Sequence, residues 1–165
     1  MKKFFLFLLF IPFIACSNSN NINKEIANIE CPTVYFSSEN NIYVYPEKEV
    51  LNLENVSFKA SLNNYGFDGK CFSNIEYNNY NLQLLSIVEP INPKDENISL
   101  PIFILFYNSE NKLVDKQYFR LKGKINFDNE TLKYNLTEII SDIDIYQKTE
   151  KNVKYLTIGF VKIAI

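Results

Sequence analysis

The chain has 165 residues, 17 Lys and Arg against 19 Asp and Glu, a net charge of −2 and no histidine. With no basic run longer than two residues, nothing draws it to nucleic acid or to anionic lipid. The missing histidine removes the commonest general base, and with it Ser-His-Asp and Cys-His machinery. None of the four glycines stands in a GxGxxG or GxxxxGK phosphate loop.

The N-terminus carries the densest pattern. Lys2 and Lys3 form a short positive region, Phe4 to Ile14 is an apolar run broken only by Pro12, and Ala15-Cys16 follows. A charged start, a short apolar run and a small residue before the cut predict a secretory signal over residues 1–15. The run is too short to cross a bilayer as a helix, which takes about 20 apolar residues. It is apolar all round, so it makes a poor amphipathic core helix. Phe13-Ile14-Ala15-Cys16 resembles the lipobox of bacterial lipoproteins, with Phe13 where Leu is most often found. That resemblance implies diacylglyceryl transfer to the Cys16 thiol, cleavage before it and N-acylation. A plain cleaved signal ranks second and a retained anchor third. Ser17 after the cysteine, rather than Asp, favours the periplasmic face of the outer membrane by likeness to enterobacterial sorting.

Removing Lys2 and Lys3 with the signal leaves 15 basic against 19 acidic residues, a mature charge of −4. With Cys16 taken by lipid, Cys31 and Cys71 remain as an even pair, and an oxidising compartment predicts their disulfide. Without histidine, two thiols cannot complete a zinc shell, so no metal or other cofactor is expected. Residues 16–30, rich in Asn and Ser, read as lipidated Cys16 and a flexible tether, with a marginal helical turn around Lys24 to Ile29. A single domain is expected over 31–165.

That domain reads as β almost throughout. Residues 33–36 and 42–45 are short β-branched and aromatic runs, the second closed by Pro46. Val56, Phe58, Ala60 and Leu62 alternate with Ser57, Lys59, Ser61 and Asn63, a strand with one face inward. Asn64 to Lys70 reads as a turn and 82–88 as an apolar strand, with a loop over 91–99. Residues 101–107 read as a central strand, apolar on both faces, and turn at Asn108 to Asn111 into a return strand over 112–121. Gly123 breaks the run. Shorter strands are predicted at 124–127, 131–136 and 143–147, with a short helix over 131–141 as the alternative, and a last strand covers 153–163. Turn-spaced short strands without a long amphipathic helix predict an all-β, antiparallel immunoglobulin-like β-sandwich.

Candidate chemistry is sparse. Asp142 with Asp144, and Asp128 with Glu130, have the spacing that puts two carboxylates on one strand face, as a glycosidase-like or calcium site requires. A solvated strand face or loop is the simpler reading. Tyr43, Tyr45, Tyr77 and Tyr80, interleaved with Asn, suit a sugar or peptide groove, although strand tyrosines more commonly rim a core. The Asn-x-Ser/Thr sequons at Asn55, Asn97, Asn129 and Asn135 read as chance in an Asn-rich chain.

Cys31-Pro32-x-Val34, Gly66 to Cys71, Leu100-Pro101-x-Phe103 and Gly159-Phe160 together resemble a group of uncharacterised alphaproteobacterial lipoproteins, over about 130 residues. The resemblance implies a small periplasmic β domain on a lipid anchor and implies no activity. The sequence therefore predicts a non-enzymatic envelope lipoprotein that meets the membrane through Cys16 and acts as a structural or protein-interaction subunit. A binder of a glycan, peptide or lipid is the alternative, and a hydrolase using paired acids ranks third.

Overall fold

The computed structural model describes residues 26–46 and 53–162. The signal segment 1–15, Cys16 and the tether up to Glu25 lie outside the described residues. Among those described, the chain forms twelve strands: β1 (Ala27–Ile29), β2 (Thr33–Phe36), β3 (Ile42–Pro46), β4 (Val56–Phe67), β5 (Cys71–Ser73), β6 (Tyr77–Pro90), β7 (Asn97–Asn108), β8 (Leu113–Lys124), β9 (Phe127–Asp128), β10 (Lys133–Tyr134), β11 (Thr137–Lys148) and β12 (Val153–Phe160). This is the expected all-β, antiparallel sandwich, compatible with an immunoglobulin-like arrangement.

Alternation builds it. Along β6, residues 78, 80, 82, 84, 86 and 88 point inward and are buried, while their odd-numbered neighbours face out. β7 repeats the pattern from Ile98 to Phe106. A period of two puts one side of each strand against the opposite sheet. Leu82, Leu84, Ile102, Ile104, Phe106, Leu156, Ile158 and Phe160 are fully buried and form the middle of the core.

The first sheet is built on β6. Its residues 77–88 pair with β11 on one side; β4 and β5 share its other side, β3 continues from β4, and β1 from β5. The second sheet runs β2-β12-β7-β8, antiparallel except that β2 lies parallel to β12. Pro101 sits inside central β7 at little cost. Its carbonyl accepts from Val161 at 2.9 Å on the β12 side, so its nitrogen faces that side too, where the ladder ends at Ile102–Phe160.

Several expected boundaries move. Residues 27–29 form β1 rather than tether or helical turn, because their backbone pairs with β5 and the disulfide Cys31–Cys71 (Cα atoms 5.3 Å apart) holds them there. β4 runs on to Phe67, so the expected turn from Asn64 shrinks to a bend closed by Gly69 at φ 80°. The strand expected at 82–88 spans 77–90, and that at 101–107 spans 97–108. No helix forms over 131–141. Leu132 adopts φ 56° in a turn, Lys133–Tyr134 form β10, and from Thr137 the chain is the long strand β11, whose Ile139, Ile143 and Ile145 are buried.

Gly123 is a strand residue of β8, and its lack of a side chain is used for close packing. A Cβ there would lie 2.5 Å from Ile139 Cδ1 of β11. Gly123→Ala is expected to destabilise the domain by about 1–3 kcal/mol through overpacking. Adding Ile139→Val, which removes that Cδ1 but leaves Cγ1 at 2.9 Å, is expected to recover part of the loss in a double-mutant cycle read by urea denaturation. The disulfide offers a second test. Closing a loop with sequence separation 40 contributes about 4 kcal/mol in the chain-entropy model. The paired change Cys31→Ser/Cys71→Ser should lower the unfolding free energy by that order.

Candidate functional site

The two margins of the sandwich differ. At one, the 37–41 turn carries the chain from β2 in one sheet to β3 in the other and ties both. Ser37 N–H donates to Ile158 at 2.8 Å, Phe160 N–H donates to Asn40 at 2.7 Å, and Leu62 N–H donates to Asn41 at 3.1 Å. That margin is closed by backbone hydrogen bonds.

At the other margin the outer strands β8 and β11 lie side by side without a ladder between them. They are joined near each end. Gln117 Nε2 donates to the Tyr146 carbonyl at 3.1 Å, and Asn126 N–H donates to Thr137 Oγ1 at 2.9 Å, close to the Gly123–Ile139 contact. Between these clasps is a groove of about 480 Å³ with Arg120 and Lys122 on the β8 wall and Ile140, Asp142 and Asp144 on the β11 wall. Gln83 Nε2 holds Asp142 Oδ1 at 3.0 Å from the neighbouring strand. One wall is basic and the other acidic, so the slot suits a polar, roughly neutral extended segment better than a polyanion.

Below the Gln117 clasp is a polar cluster. Burial pushes the Asp115 carboxyl up, but the Lys116 N–H, the Gln117 and Gln147 amides and the Lys151 cation outweigh it, and the net direction is below its ordinary 3.8. Lys151 Nζ lies 3.5 Å from Asp115 and donates to the Val114 carbonyl at 3.1 Å, bringing the segment before β12 onto β8.

A second concavity, about 360 Å³, opens at the end of the sandwich where the described chain begins, beside the disulfide. Asn78, Tyr80, Thr149 and Lys154 are in its wall. Tyr80 is buried there; burial raises its hydroxyl above the ordinary value, opposed by the Asn78 amide. Among the described residues, Asn78 Oδ1 is buried without a hydrogen-bond partner.

The tyrosines singled out in the sequence do not converge. Tyr43 is buried against Phe160 at 5.5 Å, and burial raises its hydroxyl. Tyr45 stacks on Phe58 at 5.2 Å, Tyr77 is exposed and Tyr80 is buried in the end wall. Asp128 ends β9 and caps the turn that follows, accepting from Thr131 Oγ1 at 2.7 Å and from Glu130 N–H at 2.9 Å. These bonds draw its carboxyl below 3.8. Asp142 and Asp144 do share a face and border the groove. Among the described residues no group of three or more Cys, Asp or Glu is placed to hold a metal. Sequence reading missed the β8 wall, although Lys116, Tyr118, Arg120, Lys122 and Lys124 recur at every second position.

No family model, curated protein or solved structure matches the chain.

A lowered carboxylate stabilises the fold fully above its ordinary value, and that contribution is lost as pH falls through the lowered one. Asp115 therefore makes the β8–β12 clasp acid-sensitive below about pH 3.8. Asp115→Asn should flatten the acid limb of a stability-versus-pH curve while lowering stability at neutral pH.

Proposed function

We propose that the chain is a cell-envelope lipoprotein, anchored through Cys16, whose domain serves as an interaction subunit by taking an extended segment of an envelope protein into the β8/β11 groove. The observation that carries this reading is the open margin. Two strands end their sheets side by side, clasped at either end, with a gap between them. An outer strand presents unpaired N–H and C=O groups, and adding a strand satisfies them while side-chain pockets give specificity. The opposed charges of the walls would set register and direction.

The anchor rests on the sequence: the Lys2-Lys3 start, the apolar run and the Phe13-Ile14-Ala15-Cys16 lipobox. The Cys31–Cys71 disulfide is consistent with an oxidising compartment. The outer membrane, favoured by Ser17, and likeness to the alphaproteobacterial lipoproteins belong to the same reading. A ligand-binding lipoprotein is the second reading. It is favoured by the end cavity, whose volume falls at the low end for small-molecule pockets.

A photo-crosslinking residue in place of exposed Ile140, in cells making the full chain, should give a discrete protein adduct. The same residue at Ile91, outside the groove, should not. Asp142→Lys with Asp144→Lys should weaken the adduct about tenfold or more. Equal crosslinking from 140 and 91, or a mature chain without acyl mass on Cys16, overturns the proposal.

A further inference from the structure

The described chain begins beside an apolar surface. Ile26 is 70% exposed; it borders, with Phe72 and Tyr77, a shallow depression of about 270 Å³ whose remaining wall is Ser73, Asn74 and Asn79. Ile75, in the turn of the same β5–β6 hairpin, is also 70% exposed. Asn74 shapes that turn, its Oδ1 accepting from Glu76 and Tyr77 N–H at 2.8 and 2.7 Å. The hairpin tip is held further by Thr149, whose N–H donates to Glu76 at 3.0 Å and whose hydroxyl donates to Asn74 at 3.0 Å. The apolar side chains thus stand on a braced tip. Tyr146, opposite Asn79 in the register, extends the exposed aromatic surface onto β11.

We infer that this Ile26–Phe72–Ile75–Tyr77 surface is the face the domain lays on the lipid bilayer. The inference rests on the lipoprotein reading and adds an orientation to it. Nine residues, Ser17 to Glu25, separate Cys16 from Ile26. Even fully extended they span only about 30 Å, so the surface is confined to the neighbourhood of the acyl chains. It is where the chain arriving from Cys16 enters the fold, so no other part of the domain has a shorter path to the membrane. Its chemistry suits the headgroup boundary: Ile and Phe enter the acyl margin, while the Tyr hydroxyl and the Asn amides remain among water and headgroups. The flanking charges, Glu76 before Tyr77 and Lys148 opposite it, offset each other, so contact is through apolar side chains rather than anionic lipid.

The orientation has a consequence for the groove. β6 runs from the hairpin tip for fourteen residues, about 45 Å, and β11 pairs along it, so the β8/β11 margin rises from the membrane and faces the aqueous space.

The chain contains no tryptophan, so Phe72→Trp and Ile91→Trp each introduce a single indole, at the tip and at the far end of β6. The acylated full-length protein, reconstituted in phosphatidylethanolamine/phosphatidylglycerol vesicles carrying brominated acyl chains, reports depth by quenching. The indole of Phe72→Trp should be quenched about twofold or more beyond that of Ile91→Trp. Tyr77→Trp reads the same surface should Phe72→Trp fail to fold. Equal quenching at both ends, with the protein vesicle-bound and its Cys16 acylated by mass, overturns this inference and leaves the lipoprotein reading standing. Shielding that tracks protein concentration rather than vesicles assigns the face to a second copy and equally overturns it. A chain without acyl mass on Cys16 overturns both.

Discussion

Everything in the domain hangs on β6. It hydrogen-bonds to β11 along twelve of its fourteen residues and to β4 and β5 on the other side, while its inward row supplies the floor of the core. A strand flanked on both sides and buried on one face has no freedom to slip, because a shift of one residue would turn Leu82, Leu84 and Val88 to solvent and bring Gln83, Leu85 and Glu89 inside. β7 plays the same part in the opposite sheet, with β12 and β8 on its flanks. The outer strands then sit where these two central strands leave them, and so do the margins between the sheets.

The margins have opposite characters because the chain crosses between the sheets by a tight turn at one and by the longer β9–β10 excursion at the other. Where β2 turns into β3, the backbone itself links the layers. Where β8 meets β11, the link is made by side chains at either end and by the contact of Gly123 with Ile139. The β9–β10 hairpin connects those strands in sequence but pairs only with itself. At the open margin, therefore, backbone pairing capacity and charge meet on the surface.

Much of the fold was legible because burial leaves a period of two wherever one face of a strand is wet. Val56 to Leu62 read directly by that alternation, and the central strand from Pro101 by being apolar on both faces. The long strand β11 did not, because exposed Ile140 stands next to buried Ile139 and Ser141 interrupts the inward row, which blurs the alternation. β1 is three residues whose only support is pairing with β5 beside the disulfide, a long-range condition that no local pattern reports. The groove followed the same rule. The acidic pair on β11 was read as a pair, whereas the basic row on β8, though it alternates, went unread. That the two rows face one another depends on two strands meeting without hydrogen bonds, which is a property of topology. The tyrosines are the converse: Tyr77 and Tyr80 are parted by the in-out pleat of β6, and both stand on a different strand from Tyr43 and Tyr45, whose rings lie 6.4 Å apart on β3.

The parallel pairing of β2 with β12 sets an order of events. Thr33 meets Tyr155 and Phe36 meets Ile158, so the second sheet cannot close until nearly the whole described chain is available. Contacts so distant in sequence make for slow folding, since the loop entropy must be overcome before the strands reward each other. The Cys31–Cys71 cross-link spans a far shorter stretch and does not need the last strand. In a chain with this wiring the second sheet stays open while β12 is still withheld, and β2 finds its place only when β12 arrives. For the exported protein proposed above, that wiring defers closure of the second sheet until the last strand has crossed to the far side.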